Sequence, residues 1–190
     1  MKQLALLLVG LVSALAFGYV VAQKPPPLVL EPNKYSYTFA IPDGWDFSFD
    51  EARQIGARLV LFPTGGSFHS SKTIIYVNEV CRKPCNLAAE IDKVVTKARA
   101  GNPELRVEVP ASFKTKDGAS VPVRVMTGAR DRRQAREALA FIERPDVVVL
   151  TVLTTNDPSG WEKDYAALSA MIGGFLYFDC NSPELRVKCR

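Results

Sequence analysis

The sequence predicts a single α+β domain whose largely antiparallel sheet, of about six or seven strands, is sandwiched by helices. Three observations point there. Runs with strand periodicity outnumber helical runs by more than two to one. Most connections between them are short and rich in turn residues, as in hairpins. Setting aside an amino-terminal leader of 22 residues from the 190 leaves 168, the size of one domain with a sizeable core.

The leader consists of Lys2, an uncharged and mostly apolar run from Leu4 to Val21, and Val20-Val21-Ala22 before Gln23. A basic start, a hydrophobic stretch and small or β-branched residues before the cut are the parts of a secretory signal, with cleavage expected after Ala22. The alternative is a retained membrane anchor, since Leu4 to Ala22 is long enough to span a bilayer. Cleavage leaves 23 basic against 20 acidic residues, a balance of +3 that is too small to imply a nucleic-acid partner. The mature chain then starts with a proline-rich spacer, residues 23–33, in which Pro25-Pro26-Pro27 favours extended polyproline backbone. The domain proper is expected over residues 34–190.

Its elements follow in order. Tyr35, Tyr37, Phe39 and Ile41 alternate with Ser36, Thr38 and Ala40, a strand with one buried face closed by the Pro42-Asp43-Gly44 turn. Ser48-Phe49-Asp50-Glu51 is a capping box opening a short helix to about Gly56. Leu59 to Phe62 reads as a strand buried on both faces, Thr64 to Lys72 as a loop and Thr73 to Val80 as a returning strand. From the N-cap Asn86, residues Leu87, Ile91, Val94, Val95 and Ala98 recur at helical spacing until Gly101-Asn102-Pro103. Leu105 to Val109 and Val121 to Thr127 are strands about a polar turn at Lys116-Asp117-Gly118. Arg136 to Glu143 and Val147 to Leu153 are antiparallel neighbours joined at Arg144-Pro145-Asp146. A third helix opens at Asp157-Pro158, buries Trp161, Tyr165, Leu168 and Ile172, and ends at Gly173-Gly174 before a last strand, Phe175 to Phe178.

The stretch from Tyr37 to Trp45, a strand followed by Pro42-Asp43-Gly44-Trp45, resembles the opening of proteins with the PsbP-like fold. The later order of hairpins, helix and strand resembles it over most of Tyr35 to Phe178. That fold is an antiparallel sheet between helices and occurs in an extrinsic subunit of the photosynthetic oxygen-evolving complex and in bacterial periplasmic proteins. The resemblance implies a protein-binding or accessory role without catalysis. It carries over no functional residues and no cofactor, and the four cysteines depart from it.

Those cysteines, Cys81, Cys85, Cys180 and Cys189, are an even set, which in an exported chain argues for bridges. Of three connectivities the spacing favours Cys81 with Cys85 and Cys180 with Cys189, each pair flanking a turn-like stretch. A zinc site is the alternative, but its ligand pairs are usually two to four residues apart in both halves. Here one pair is separated by three residues and the other by eight.

The densest charge cluster, Arg130, Arg132, Arg133 and Arg136 at the tip of a predicted hairpin, is the candidate partner-binding surface, since guanidinium forks engage carboxylates bidentately. A solvated turn neutralised by Asp131 and Glu137 is the competing view. His69 is the sole histidine and lies beside Ser67, Ser70 and Ser71, but no Gly-x-Ser-x-Gly elbow accompanies it. A small serine/histidine hydrolase is therefore an alternative, and no catalytic residue is assigned. Asp43, Asp46, Asp50 and Glu51 lack the spacing of a calcium loop, so no metal site is expected. Trp45 and Trp161 are expected in the core. Together these predict a periplasmic or secreted, non-enzymatic protein that binds another protein through a sheet face or hairpin loops. One version is an immunity protein against a toxin delivered to the periplasm. Neither a nucleic-acid partner nor stable membrane insertion after signal cleavage is expected.

Overall fold

A computed structural model of the chain describes residues 28–30, 35–128 and 136–179. In order these form strands β1 (Leu28–Leu30), β2 (Tyr35–Phe39) and β3 (Trp45–Ser48), helix α1 (Phe49–Gln54), and strands β4 (Leu59–Pro63) and β5 (Thr73–Arg82). Helix α2 (Leu87–Gly101) is followed by β6 (Arg106–Glu108), β7 (Phe113–Lys114), β8 (Ser120–Val121), β9 (Val123–Thr127), β10 (Arg136–Glu143) and β11 (Val147–Thr155). A 3-10 turn, Pro158–Gly160, leads into α3 (Trp161–Gly173), and β12 (Leu176–Asp179) ends the described chain.

Seven strands make the central antiparallel sheet in the order β3-β4-β5-β11-β10-β9-β6, the α+β architecture expected from the sequence. A second sheet, β1-β2-β12, and a small β7-β8 ladder hold the other strands among the described residues. Strand alternation divides the core between the two faces of the central sheet. On β10, Ala138, Ala140 and Ile142 pack with Trp161, Leu168, Met171 and Ile172 of α3 and with Tyr37, Phe39 and Phe175 of the second sheet and its approach. Leu139 and Phe141 face the opposite way and pack with Met126, Val152 and Ile91 of α2. Helices thus lie on both faces. Trp45 and Trp161 are both buried, as expected.

Gly174 has a packing reason as well as a terminating one: a Cβ there would overlap the Cβ of Ala40 where α3 meets the end of β2. Asn86 caps α2 by accepting from the Ala89 N–H at 3.1 Å. At α1 only half of the expected capping box forms. Ser48 Oγ accepts from the Glu51 N–H at 3.1 Å, while the Glu51 carboxylate accepts from the Phe68 N–H at 3.2 Å and so ties down the following loop instead.

Three further expectations need correction. Leu28–Leu30, read as spacer, is a strand paired with Phe39–Tyr37, because the prolines end at Pro27 and Leu-Val-Leu retains its N–H donors. Trp45–Ser48 is a strand paired with Val60–Pro63, where turn and cap signals masked a short edge strand. The connection after β6 holds the β7-β8 hairpin, and Pro122 separates Val121 from β9. Arg144, with its side chain 9% exposed, clamps that hairpin by donating to Asp117 Oδ1 at 2.9 Å and Thr115 Oγ1 at 3.2 Å.

Candidate binding surface at an open sheet edge

Helix α1 ends in a Schellman motif. The Ala57 N–H donates to the Ala52 carbonyl at 2.9 Å and the Gly56 N–H to the Arg53 carbonyl at 3.2 Å. Gly56 sits at φ +69°, a left-handed value that glycine adopts without a Cβ penalty. The chain enters the sheet only at Arg58, whose N–H donates to the Val77 carbonyl at 2.9 Å, and β4 pairs with β5 from Leu59↔Val77 to Leu61↔Ile75.

Strand β5 continues five residues beyond that pairing. Asn78 to Arg82 remain bound to β11 on one side, with a register slip that leaves Val80 extra between the Glu79↔Val149 and Cys81↔Val148 pairs. On the other side, among the described residues, no strand pairs with them. Facing that edge is an open cleft of about 600 Å³ lined by Arg53, Gly56-Ala57-Arg58 and Asn78 to Arg82.

Three guanidiniums and one carboxylate set the charge of the cleft. Glu79 Oε2 is shared at long range by Arg58 (3.5 Å) and Arg82 (3.7 Å), and Arg53 pairs with Asp50 at 2.9 Å. The Glu79 side chain is only 10% exposed, whereas those of Arg58 and Arg82 are 51% and 66% exposed. One carboxylate oxygen cannot occupy two guanidinium forks, so both retain donors directed to solvent or a ligand. The Cys81–Cys85 disulfide, expected from the sequence, closes the turn carrying Arg82. Lys83 fixes that turn further by donating to the Cys85 carbonyl at 2.9 Å and pairing with Glu143.

Of the arginines singled out in the sequence, Arg130, Arg132 and Arg133 lie outside the described residues, as do Cys180, Cys189 and the leader. Arg136 opens β10, where its guanidinium lies 4.1 Å from the Trp161 ring centroid and 3.8 Å from Glu108 Oε2. Its cation–π contact and ion pair commit it to packing within the domain.

His69 is exposed with its ring edge-on to Phe68, while Ser67 and Ser70 bond one another at 2.9 Å. No hydrogen bond links His69 to these serines or to a carboxylate among the described residues, so a nucleophile–base–acid relay is not assembled. Asp46 accepts from the Gly65 N–H at 3.4 Å, so with Glu51 it anchors the same loop. No grouping of three or more metal-ligating side chains occurs among the described residues.

At the opposite end of β5 is the buried carboxyl of Asp164, on α3. Burial pushes its pKa above the ordinary value against the opposing pull of Thr73 and Lys163. Thr73 Oγ1 donates to it at 2.8 Å and lies 2.7 Å from Thr155 Oγ1.

The described residues thus form an antiparallel α+β sandwich in which none of them covers the arginine-flanked strand edge. No family model matches the chain, and no curated protein matches it. Solved structures do. LpqN, a protein of Mycobacterium tuberculosis involved in cell envelope biogenesis, is similar at TM-score 0.50 and 11% identity, over 80% of this chain and 90% of that one. A cyanobacterial PsbP, CyanoP from Synechocystis sp. PCC 6803, is similar at TM-score 0.44 and 11% identity, over 80% and 92%. The arrangement expected from the Tyr37 to Trp45 opening, one antiparallel sheet with helices on both faces, is present. No helix among the described residues is long and apolar enough to cross a membrane.

Proposed function

We propose that this chain is an exported envelope protein that acts by binding another protein and not by catalysis. The observation carrying this reading is the open Asn78 to Arg82 edge beside a cleft with spare guanidinium donors. Sheets ordinarily cover such an edge, and an extended segment recognises one through its backbone. The leader and the Cys81–Cys85 bond support an oxidising compartment. LpqN, of the same fold, is named for a role in the cell envelope. The Arg130, Arg132 and Arg133 connection is a second candidate contact surface.

The test is carried out in the native host with the full chain. Fractionation and intact mass should find the protein outside the cytoplasm without residues 1–22 and with its thiols oxidised. Material that retains Met1 and free thiols refutes export. Photo-crosslinkers placed at positions 58, 82 and 132 should capture a discrete partner, and absence of any adduct refutes binding. His69→Ala should leave the phenotype intact, and its loss would restore the hydrolase.

A further inference from the structure

Resting on that binding role, we infer that the partner is an acidic extended segment that adds as a strand to the Asn78 to Arg82 edge of β5. Its carboxylates engage Arg58 and Arg82, with Arg53 at the mouth of the cleft. Two independent features converge on this occupant. Among the described residues the outer side of Asn78 to Arg82 has no strand partner, and on either side of the Val80 bulge its outward N–H and C=O groups are of the kind that an extended backbone pairs with. Beside it Arg53, Arg58 and Arg82 stand against Glu79 and the Asp50 that pairs with Arg53, three cations to two carboxylates, and this excess of positive charge at Arg58 and Arg82 favours carboxylates on the incoming strand.

The edge is also held ready. Gly56 turns the preceding chain out of the sheet plane, the Asn78 amide, oriented as its neighbours require, donates to the Gly56 carbonyl at 3.1 Å, and the disulfide fixes the far end at Cys81. A rigid edge loses little freedom when a segment docks. A second copy of this chain is a poor occupant, because edge-to-edge pairing would set Arg58 and Arg82 of both copies against one another, and like charges across a ladder repel. A small anion would meet the guanidiniums but leave the backbone edge unpaired.

The experiment titrates the purified full-length protein with a short acetylated peptide of alternating glutamate and valine. It runs beside a lysine–valine peptide, the glutamate peptide N-methylated at alternate residues, and inorganic phosphate. Binding of the acidic peptide should shift the amide resonances of Asn78 to Arg82 and weaken as salt rises. The lysine peptide should not bind, N-methylation should abolish binding by removing ladder donors, and phosphate should compete only weakly. Arg58→Glu with Arg82→Glu, checked for native circular dichroism, should weaken binding by roughly tenfold or more, the loss of at least one charged hydrogen bond. Arg53→Glu, at a more exposed position, provides a second variant with a smaller loss.

Equal binding by the N-methylated peptide, or phosphate competing as well as the peptide, would reduce the cleft to a small-anion site and overturn the inference. So would undiminished binding by the charge-reversed protein, or binding of the lysine peptide. A concentration-dependent dimer that blocks the peptide would overturn it in favour of self-pairing. A partner crosslinked in the host through position 132, with no acidic-peptide binding at the edge, would refute the inference while leaving the protein-binding role standing.

Discussion

The two ends of β5 treat polar side chains in opposite ways. At the first residue, Thr73 is buried beneath α3, and its hydroxyl joins Asp164 and Thr155 in a chain with contacts of 2.7 and 2.8 Å. At the last residues, Glu79 is held between Arg58 and Arg82 at 3.5 and 3.7 Å, and one of its carboxylate oxygens has no hydrogen bond among the described residues. The first cluster is short, buried and covered by a helix. The second is long-range, half solvated and open at a sheet edge. Coverage makes the difference: α3 lies over the Thr73 end, whereas the chain that would have flanked the Arg82 end turns away at Gly56. A sealed network joins elements of one fold, and an open one retains donors for a partner.

Breaking the seal should have the largest effect. Trp161→Ala removes a buried ring stacked 5.5 Å from Tyr165 and supporting Arg136, and should lower stability by about 3–5 kcal/mol in urea unfolding. The control is Phe47→Ala on the exposed end of the same face. That side chain is 43% exposed, and its loss should cost at most about 1 kcal/mol. Similar losses at the two positions would mean that α3 is not the cover assigned to it.

Next in size is the clamp on the open end. Replacing both Cys81 and Cys85 by serine removes a crosslink closing five residues, which the chain-entropy relation values at about 2 kcal/mol. The same variant should broaden the Arg82 resonance while leaving that of Thr73 sharp, separating the two ends on one strand. A uniform change along β5 would erase the distinction.

The sealed end also predicts a pH signature. The Asp164 pKa is raised by burial above 3.8, so the folded state holds that proton more tightly than the unfolded chain. Its contribution to stability is fully present below 3.8 and is lost as pH rises through the folded value. Asp117 acts in the opposite direction. Burial pushes its pKa up, but the Thr115 hydrogen bond and Arg144 outweigh that and hold it low, so its stabilisation is present above 3.8 and is lost as pH falls through the folded value. Asp164→Asn should therefore remove the gain on acidification, measured as Tm against pH, while Asp117→Asn should remove the opposing loss. Thr73→Val deprives Asp164 of its donor and should cost about 1–3 kcal/mol near neutrality.

How much of this could be read beforehand also differs between the two ends. Apolar continuity marked Leu59 to Phe62 and Val147 to Leu153, within one or two residues of the observed strands, and helical spacing marked Trp161, Leu168 and Ile172, because burial imposes a pattern on sequence. The β7-β8 ladder, with strands of two residues each, is too short to carry a period. The cleft arginines eluded the sequence for another reason. Arg53, Arg58 and Arg82 never form a run, and an edge is open only by virtue of what fails to lie beside it. The visible cluster at Arg130 to Arg136 drew attention instead, and its one described member is engaged with Trp161 and Glu108. A usable signal did exist in the unequal lengths of two adjacent strands. Ten residues of β5 against five of β4 leave an overhang, and the Ile55-Gly56 break indicates where it starts.

The smallest effect on stability should come from Glu79, and it sharpens the contrast most. Asp164 and Glu79 are both acidic groups shielded from solvent, yet Asp164 is enclosed by its partners whereas Glu79 shares partners that are half solvated. Ion pairs with solvated arms contribute little, so Glu79→Gln should shift the unfolding midpoint by no more than about 0.5 kcal/mol. Its effect should appear in binding. Glu79 competes with an incoming carboxylate for the same two guanidiniums, and neutralising it should tighten the acidic peptide severalfold and steepen its salt dependence. If Glu79→Gln instead weakens the peptide, the carboxylate orients the arginines for the partner; if it destabilises the fold as much as Thr73→Val, the Arg82 end is a second structural seal and the two ends of β5 are alike.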